Sequence, residues 1–173
     1  ICNAGLYNAA TIVEGLAWER WNFVFIPLFS VTLIWFIQRF TRSRPTPYLY
    51  PIFALLFLSI PLAFINSPWT ITAENAIPHR VHLGSLIQIT YNQAKVGMAL
   101  SLQMLISMTL FSYAAYKVVR YYFINKKEAI PIIIGLVFFF IAGVNDYAVT
   151  FEMYEFIYLT EFSFFIMILC MNY

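Results

Sequence analysis

Long stretches without a charged residue constrain this chain more than any other feature of its sequence. Four stretches carry no charge and a fifth carries a single acid: Trp21 to Gln38, Pro45 to Ala73, Val96 to Tyr116, Ala129 to Asn145, and Phe156 to Tyr173. Each is close to or above the roughly 17 to 25 residues that a tilted helix needs to cross a bilayer. They predict an all-α membrane protein with five full transmembrane helices.

The amino-acid composition also indicates that the lipid bilayer is the main partner of this chain. Hydrophobic residues make up 62% of the chain and charged residues only 10%, whereas soluble domains average roughly 45 to 50% and about 25%. The net charge of +2 provides no basic stripe for phosphates, so no nucleic-acid partner is expected.

Charges and prolines set the predicted boundaries within a single domain, 1–173. Residues 1–17 are interpreted as the end of an earlier helix plus an outer loop, and 66–95 as the longest outer loop. The predicted spans are 18–40, 48–65, 97–119, 129–146 and 154–173.

The outer loop contains a strand-like pattern. From Val81 to Tyr91 apolar residues fall mostly on odd positions, which is the period of a β-strand. Trp69 to Thr72 is a candidate antiparallel partner across a turn at Asn75 to Pro78. The loop is therefore expected to form a small β-hairpin that caps the bundle.

Basic residues are distributed unequally between the two ends of the predicted spans. One end has Arg20, Arg80 and Lys95, and the other has Arg39, Arg42, Arg44, Lys117, Arg120, Lys126 and Lys127. Because Lys and Arg accumulate in cytoplasmic loops, the sequence predicts a multi-pass protein of the inner (plasma) membrane with a cytoplasmic C-terminus.

Polar residues within or beside the spans are the candidate ligand-binding residues, because ionisable groups are costly in a bilayer and often mark function. Glu161 lies inside the last predicted span, with Tyr158 on the same predicted helix face. The candidates are Glu161, Asp146, Asn145, Arg20, Tyr158 and Gln103.

Each candidate also has a structural interpretation. Glu161 can be satisfied by a neighbouring helix, and the pair Asn145 and Asp146 can cap the end of a helix. Arg20 can pair with Glu19, and Gln103 can hold two helices together by hydrogen bonding. These alternatives stay open from the sequence alone.

Several chemistries are not expected. The last predicted span contains no lysine for a retinal Schiff base, and neither histidine lies in a span. Phosphate-binding, metalloprotease and nucleophile-elbow motifs are missing from the sequence. We expect no catalytic residue, metal or cofactor, and therefore no enzyme activity in this chain itself.

Three stretches resemble bacterial seven-transmembrane sensor domains, namely the seven-transmembrane receptors with diverse intracellular signalling modules and the N-terminal seven-helix region of histidine kinases. The stretch from Leu6-Tyr-Asn8 through Glu14 and Trp18-Glu-Arg-Trp21 to Phe40-Thr41 is similar to their third helix. Gly143-Val-Asn-Asp146 and Tyr158-Leu-Thr-Glu-Phe162 to Tyr173 resemble the sixth and seventh helices.

The resemblance implies an N-terminally truncated part of a seven-helix bundle. Its function would be sensory input: an extracytoplasmic or intramembrane stimulus, either a small molecule or a lipid, is passed to a C-terminal cytoplasmic output domain. The full-length protein would then be a sensor histidine kinase of a two-component system or a diguanylate cyclase, acting as a homodimer.

Two other functions remain open. A transporter or channel subunit would use Glu161 and Asp146 on an ion path, and that class is typified by broken helices and inverted repeats. The sequence has an interruption at Pro61 and no repeat. A purely structural assembly subunit would need no enclosed pocket.

Overall fold

The structure is a computed structural model that describes residues 2–44, 46–83 and 87–172. Side chains are described throughout these ranges except at 2–3, 73–80, 82–83, 87–88, 92–93 and 171–172. Ile1 and Tyr173, at the two ends of the predicted domain, lie outside the described residues.

Helices dominate the described chain, and one antiparallel two-stranded sheet accompanies them. The helices are α1 (Cys2–Asn8), α2 (Ile12–Phe40), α3 (Leu49–Ser59), a 3₁₀ turn (Pro61–Phe64), α4 (Met98–Tyr122), α5 (Lys126–Thr150) and α6 (Thr160–Asn172). The strands are β1 (Ile71–Leu83) and β2 (Ile87–Val96).

Among the described residues, three helices are long and apolar enough to cross a membrane: α2, α4 and α5. Many of their large apolar side chains face outward, such as Leu105, Phe138 and Ile141, which are 53%, 48% and 59% exposed. Outward apolar surface on this scale is costly in water and suits lipid. The shorter apolar segments Leu49–Phe64 and Thr160–Cys170 lie beside these helices in the chain.

Helix α2 begins at Ile12, earlier than the predicted boundary at residue 18. Thr11 accepts a hydrogen bond from the Glu14 N–H at 3.2 Å, and Glu14 accepts one from the Ala10 N–H at 2.9 Å. This reciprocal arrangement satisfies N–H groups that have no partner within the helix, so the helix starts there.

The second predicted span is interrupted at its predicted break. Helix α3 ends at Ser59, and the 3₁₀ turn starts with Pro61. Proline has no N–H and clashes with the preceding turn, which ends the α-helix. The interruption at Pro61 is therefore confirmed.

The hairpin forms, but its predicted turn was wrong. Leu83 pairs with Ile87 in the antiparallel register, so the chain reverses after Leu83 and not at Asn75 to Pro78. Residues 84–86 lie outside the described residues. The predicted turn instead falls at an irregularity in β1, between the Thr72 and Ile77 pairings. The segment from Val81 to Tyr91, predicted as one strand paired with Trp69 to Thr72, is divided between β1 and β2, and Thr72 pairs with Lys95.

The last helix also differs from the prediction. Helix α6 begins at Thr160 instead of residue 154, and residues 151–159, which we call the linker, are not helical. The linker follows the end of α5 at Thr150 and stops where Asp146 binds the N–H groups that start α6, as described below. Consequently Glu161 lies in the first helical turn and Tyr158 lies before it, so the two do not share a helix face.

Buried side chains form three clusters along the bundle. The largest contains residues from all five helices from α2 to α6. In it the Phe111 and Phe139 rings stack with their centroids 4.8 Å apart. A second joins α2 and α4 to the base of the hairpin. The third contains Leu6, Val81, Tyr91, Val149 and Tyr158, and brings α1, the hairpin, α5 and the linker together.

Candidate functional site

The linker is the point at which the hairpin, α1 and two long helices meet. The Tyr91 hydroxyl of β2 donates a hydrogen bond to the Phe156 carbonyl at 2.9 Å. The Tyr158 N–H donates to the Tyr7 hydroxyl of α1 at 2.6 Å. The Tyr7 and Tyr91 rings meet edge to face at 5.4 Å. The hairpin and α1 therefore both bind the backbone of the linker.

Asp146, one turn before the end of α5, caps the start of α6. One carboxylate oxygen accepts from the Leu159 N–H at 2.6 Å and the other from the Thr160 N–H at 3.0 Å. An aspartate in this role satisfies unpaired N–H groups and complements the positive end of the helix dipole. Asp146 thus fixes where α6 begins.

Asn145 extends the same network. Its amide donates to the Ile157 carbonyl at 2.9 Å and to Asp146 at 2.9 Å, and its oxygen accepts from the Tyr154 hydroxyl. Each polar atom of the Asn145 amide is used in binding the linker or its neighbour. The pair therefore does not cap the end of its own helix, because α5 continues to Thr150. It binds the linker and the start of α6 instead.

Burial raises the pKa of both tyrosines of this site. Removal from water raises the pKa of Tyr7 to about 12. Burial, followed by repulsion from the phenolate that Tyr7 would form at high pH, raises the pKa of Tyr91 above its ordinary value. Tyrosine is already protonated at neutral pH, and the raised pKa extends this to more alkaline pH, so Tyr91 keeps the proton with which it binds Phe156.

Glu19 ties the hairpin to α2. Its carboxylate oxygens lie 3.1 and 3.0 Å from the Ala94 nitrogen, and the residue is only 6% exposed. Ala94 lies opposite the irregularity in β1, where the register assigns it no cross-strand partner. Because a buried N–H needs an acceptor, Glu19 supplies the one that the hairpin lacks.

Glu19 was absent from the predicted site, and the sequence marked it only as a possible partner of Arg20. The buried positions Gly15, Glu19, Phe23 and Pro27 recur every fourth residue along α2, which is the spacing of one helix face. Tyr7 and Tyr91 were also missed, because nothing local marks residues that meet across about half of the chain.

Gln103 lies at a different interface, between α2 and α4. It is 1% exposed, and its amide donates to the Phe23 carbonyl at 2.6 Å. That carbonyl would normally bind the N–H of residue 27, but Pro27 has none. Gln103 therefore replaces the hydrogen bond that Pro27 removes from α2.

Pro27→Ala is expected to cancel the cost of Gln103→Leu. In the single variant Gln103→Leu the buried Phe23 carbonyl loses its donor, at a cost of about 1 to 3 kcal/mol. In the double variant the backbone N–H gained at position 27 can bind that carbonyl. Thermal midpoints of the four proteins in detergent form a double-mutant cycle that measures the coupling. Purely additive effects would contradict this role for Gln103.

The structure brings three of the predicted site residues together, namely Asn145, Asp146 and Tyr158. Glu161 follows them in the first turn of α6, where a negative charge suits the helix dipole. Arg20, which follows Glu19 in the sequence, is partly buried. Its Nε atom has no hydrogen-bond partner in the described part of the chain. Glu19 binds the hairpin backbone and Gln103 binds α2.

The described polar side chains of this site position the linker. Asp146 and Asn145 are occupied by backbone groups of the linker and by one another. Within the described ranges, no group of three or more His, Cys, Asp or Glu side chains could hold a metal ion. What the site does is hold a nonhelical linker in position at four backbone points, on Phe156, Ile157, Tyr158 and Leu159.

Comparison of the chain with protein-family models, with curated proteins and with solved structures finds no match. The resemblance to seven-transmembrane sensor domains accordingly stays a prediction from the sequence.

Proposed function

We propose that this chain is the membrane-embedded input module of a bacterial signal-transduction protein. One observation carries the proposal: the linker that leads into the last helix is hydrogen-bonded to the hairpin through Tyr91 and to α5 through Asp146. A stimulus that moves the hairpin would therefore change the position of α6, the last helix of the chain.

The hairpin is also bound to α2 through Glu19, so it has two points of attachment on the bundle. A stimulus can bias such a system only if it binds two arrangements of these elements with different affinity. A difference of about 1 to 3 kcal/mol is the usual scale of coupling between sites. Loss or gain of one or two linker hydrogen bonds is of that size.

In this proposal the chain lies in the inner membrane, and α3 and α6 complete the set of crossing helices. The C-terminus faces the cytoplasm, where the resemblance implies a histidine kinase or a diguanylate cyclase and signalling as a homodimer. The stimulus would be a small molecule or a lipid at the hairpin end. The distribution of basic residues supports this orientation.

Cys170 near the end of α6 is a natural reporter for the proposal. It is a free, partly buried thiol, and replacing Cys2 with serine makes it the single thiol of the chain. In that background, Tyr91→Phe removes the hydroxyl that binds Phe156 and keeps the ring. One lost hydrogen bond of about 1 kcal/mol predicts about fivefold faster labelling by N-ethylmaleimide, if labelling requires local opening.

The matched control is Tyr48→Phe, which changes a 72% exposed tyrosine away from the linker and should leave the labelling rate unchanged. Labelling is measured in membranes, and folding of each variant is checked by its thermal midpoint. If Tyr91→Phe is folded and Cys170 reacts at the original rate, the hairpin does not act on α6 and the proposal fails.

The ion-path function makes a different prediction. Proteoliposomes containing the chain would show proton or cation flux, and Glu161→Gln would abolish it. Asp146 would have to exchange its two backbone hydrogen bonds to take part in such a path. Flux that depends on Glu161 would replace the sensor proposal with a transport function.

A further inference from the structure

A groove opens between α2 and α3, at the end of the bundle opposite to the linker along α2. Its volume is about 900 Å³. Polar and basic residues line the part beside the turn that joins the two helices, among them Gln38, Arg39 and Arg42. Val31 and Phe53 line its apolar part. One part of the groove is thus positively charged and the other part is apolar.

Arg42 is held in an unusual backbone conformation. Its φ is 50°, in the left-handed region that non-glycine residues rarely adopt. The Ser43 N–H binds the Gln38 carbonyl at 3.0 Å and the Arg42 N–H binds the Arg39 carbonyl at 3.2 Å, which is the Schellman pattern in which glycine is usual at this position. An arginine in place of glycine suggests a use for its side chain.

Arg39 supplies a second guanidinium group to the groove. It lies over the Trp35 ring at 5.5 Å from the centroid. Two arginines at one groove match a phosphate, because the guanidinium fork binds phosphate oxygens through paired hydrogen bonds. Among the described residues that line the groove there is no aspartate or glutamate, so the positive charge is not neutralised within it.

The walls of the groove favour a lipid over a free phosphate. Val31 precedes Arg39 by eight residues on α2, so an acyl chain could follow the helix for about 12 Å from the arginines. Trp35 and Tyr50 are 61% and 63% exposed beside the arginines, and such aromatic residues concentrate at the headgroup level of membranes. Basic pockets between membrane helices bind anionic headgroups.

We propose that this groove binds one anionic phospholipid of the phosphatidylglycerol class. Its phosphodiester would lie against Arg39 and Arg42, and an acyl chain along Val31 and Phe53. This site is independent of the sensory function proposed above, since it involves neither the linker nor the hairpin.

Arg42→Gly tests the site without endangering the fold, because glycine suits the left-handed conformation better than arginine does. The full chain in detergent is titrated with phosphatidylglycerol, and bound lipid is counted by native mass spectrometry. We expect about five- to tenfold weaker binding in Arg42→Gly, from the loss of one arginine at a headgroup. The thermal midpoint without lipid should stay the same or rise.

Arg44→Gly is the matched control, because Arg44 is exposed and does not line the groove. It removes the same charge and should change binding less than twofold. Phosphatidylcholine should bind at least tenfold more weakly than phosphatidylglycerol, and millimolar inorganic phosphate should not displace the lipid.

Three results would overturn the proposal. Unchanged binding in Arg42→Gly would remove the groove as the site. Equal weakening in Arg44→Gly would mean that net charge alone attracts the lipid. Displacement by inorganic phosphate would identify a free-phosphate site instead. None of these readouts depends on signalling, so the sensory function can fail while this site stands.

Discussion

Gly97→Ala is expected to prevent the chain from folding stably. A Cβ at residue 97 would lie less than 3.0 Å from the Trp69 carbonyl carbon and from the Pro68 oxygen. Both are backbone atoms at the base of the hairpin, and the Gly97 N–H donates to the Thr70 carbonyl at 2.6 Å in the same place. Since the backbone cannot move aside without opening this junction, we expect a cost of at least about 3 kcal/mol.

A loss of that size is a large part of the roughly 5 to 15 kcal/mol that stabilises a typical domain. The yield of monodisperse protein on size exclusion and the thermal midpoint in detergent both measure it. Gly143→Ala is the control, because its Cβ would meet only the Met108 side chain, with the sulfur at 3.3 Å. That side chain is flexible, and alanine is favoured over glycine in a helix. A normal midpoint for Gly97→Ala would mean that the junction differs from the structure.

Helices were predictable here because their signal is local. A run of apolar residues between charges identifies α2, α4 and α5 whatever they pack against, and Pro61 ends α3 by its own covalent geometry. The start of α6 was not predictable in this way. Its apolar run begins near Phe156, but the helix begins where Asp146, a residue on another helix, binds its N–H groups.

The hairpin, too, was predictable only where its signal is local. Alternation between residues 81 and 91 was interpreted as one strand, but the chain reverses within that segment, after Leu83. The turn was predicted at Asn75 to Pro78, because proline and asparagine favour turns. In the structure that segment is an irregularity within β1. Its consequence, an Ala94 N–H without a strand partner, explains why Glu19 is buried on α2. Only the pairing of the two strands reveals that need.

The candidate site was predicted in part for a physical reason. Asn145 and Asp146 stand out because polar residues at the end of an apolar run either cap a helix or bind a ligand. Tyr91 and Tyr7 do not stand out, because an aromatic residue in an aromatic-rich membrane chain is unremarkable until a carbonyl or an N–H is found beside it. The sequence therefore located one side of the linker site and missed the other.

Asp146→Ala is expected to release the start of α6. The Leu159 and Thr160 N–H groups would lose their acceptor, and the Asn145 amide would lose one of its partners. Loss of an aspartate cap costs up to about 2 kcal/mol, which is about a thirtyfold rise in local opening. Hydrogen exchange of the amides at the junction of the linker and α6, followed by mass spectrometry in detergent, measures that opening directly.

Two variants separate the cap from a general loss of negative charge. Asp146→Asn keeps one carbonyl oxygen, which can bind one of the two N–H groups, so its exchange rate should lie between those of the wild type and Asp146→Ala. Glu14→Ala removes a capping carboxylate that is exposed at the start of α2. Water replaces that acceptor readily, so its effect on exchange at α2 should stay below about threefold.

The same experiment also bears on signalling. If Asp146→Ala raises exchange at Leu159 and Thr160 and also speeds labelling of Cys170, opening at the start of α6 reaches its far end, as an input module requires. If exchange rises and Cys170 is unaffected, α6 frays locally and the linker cannot carry a signal along it. Unchanged exchange at both amides would show that another residue starts α6, and the cap assigned to Asp146 would be wrong.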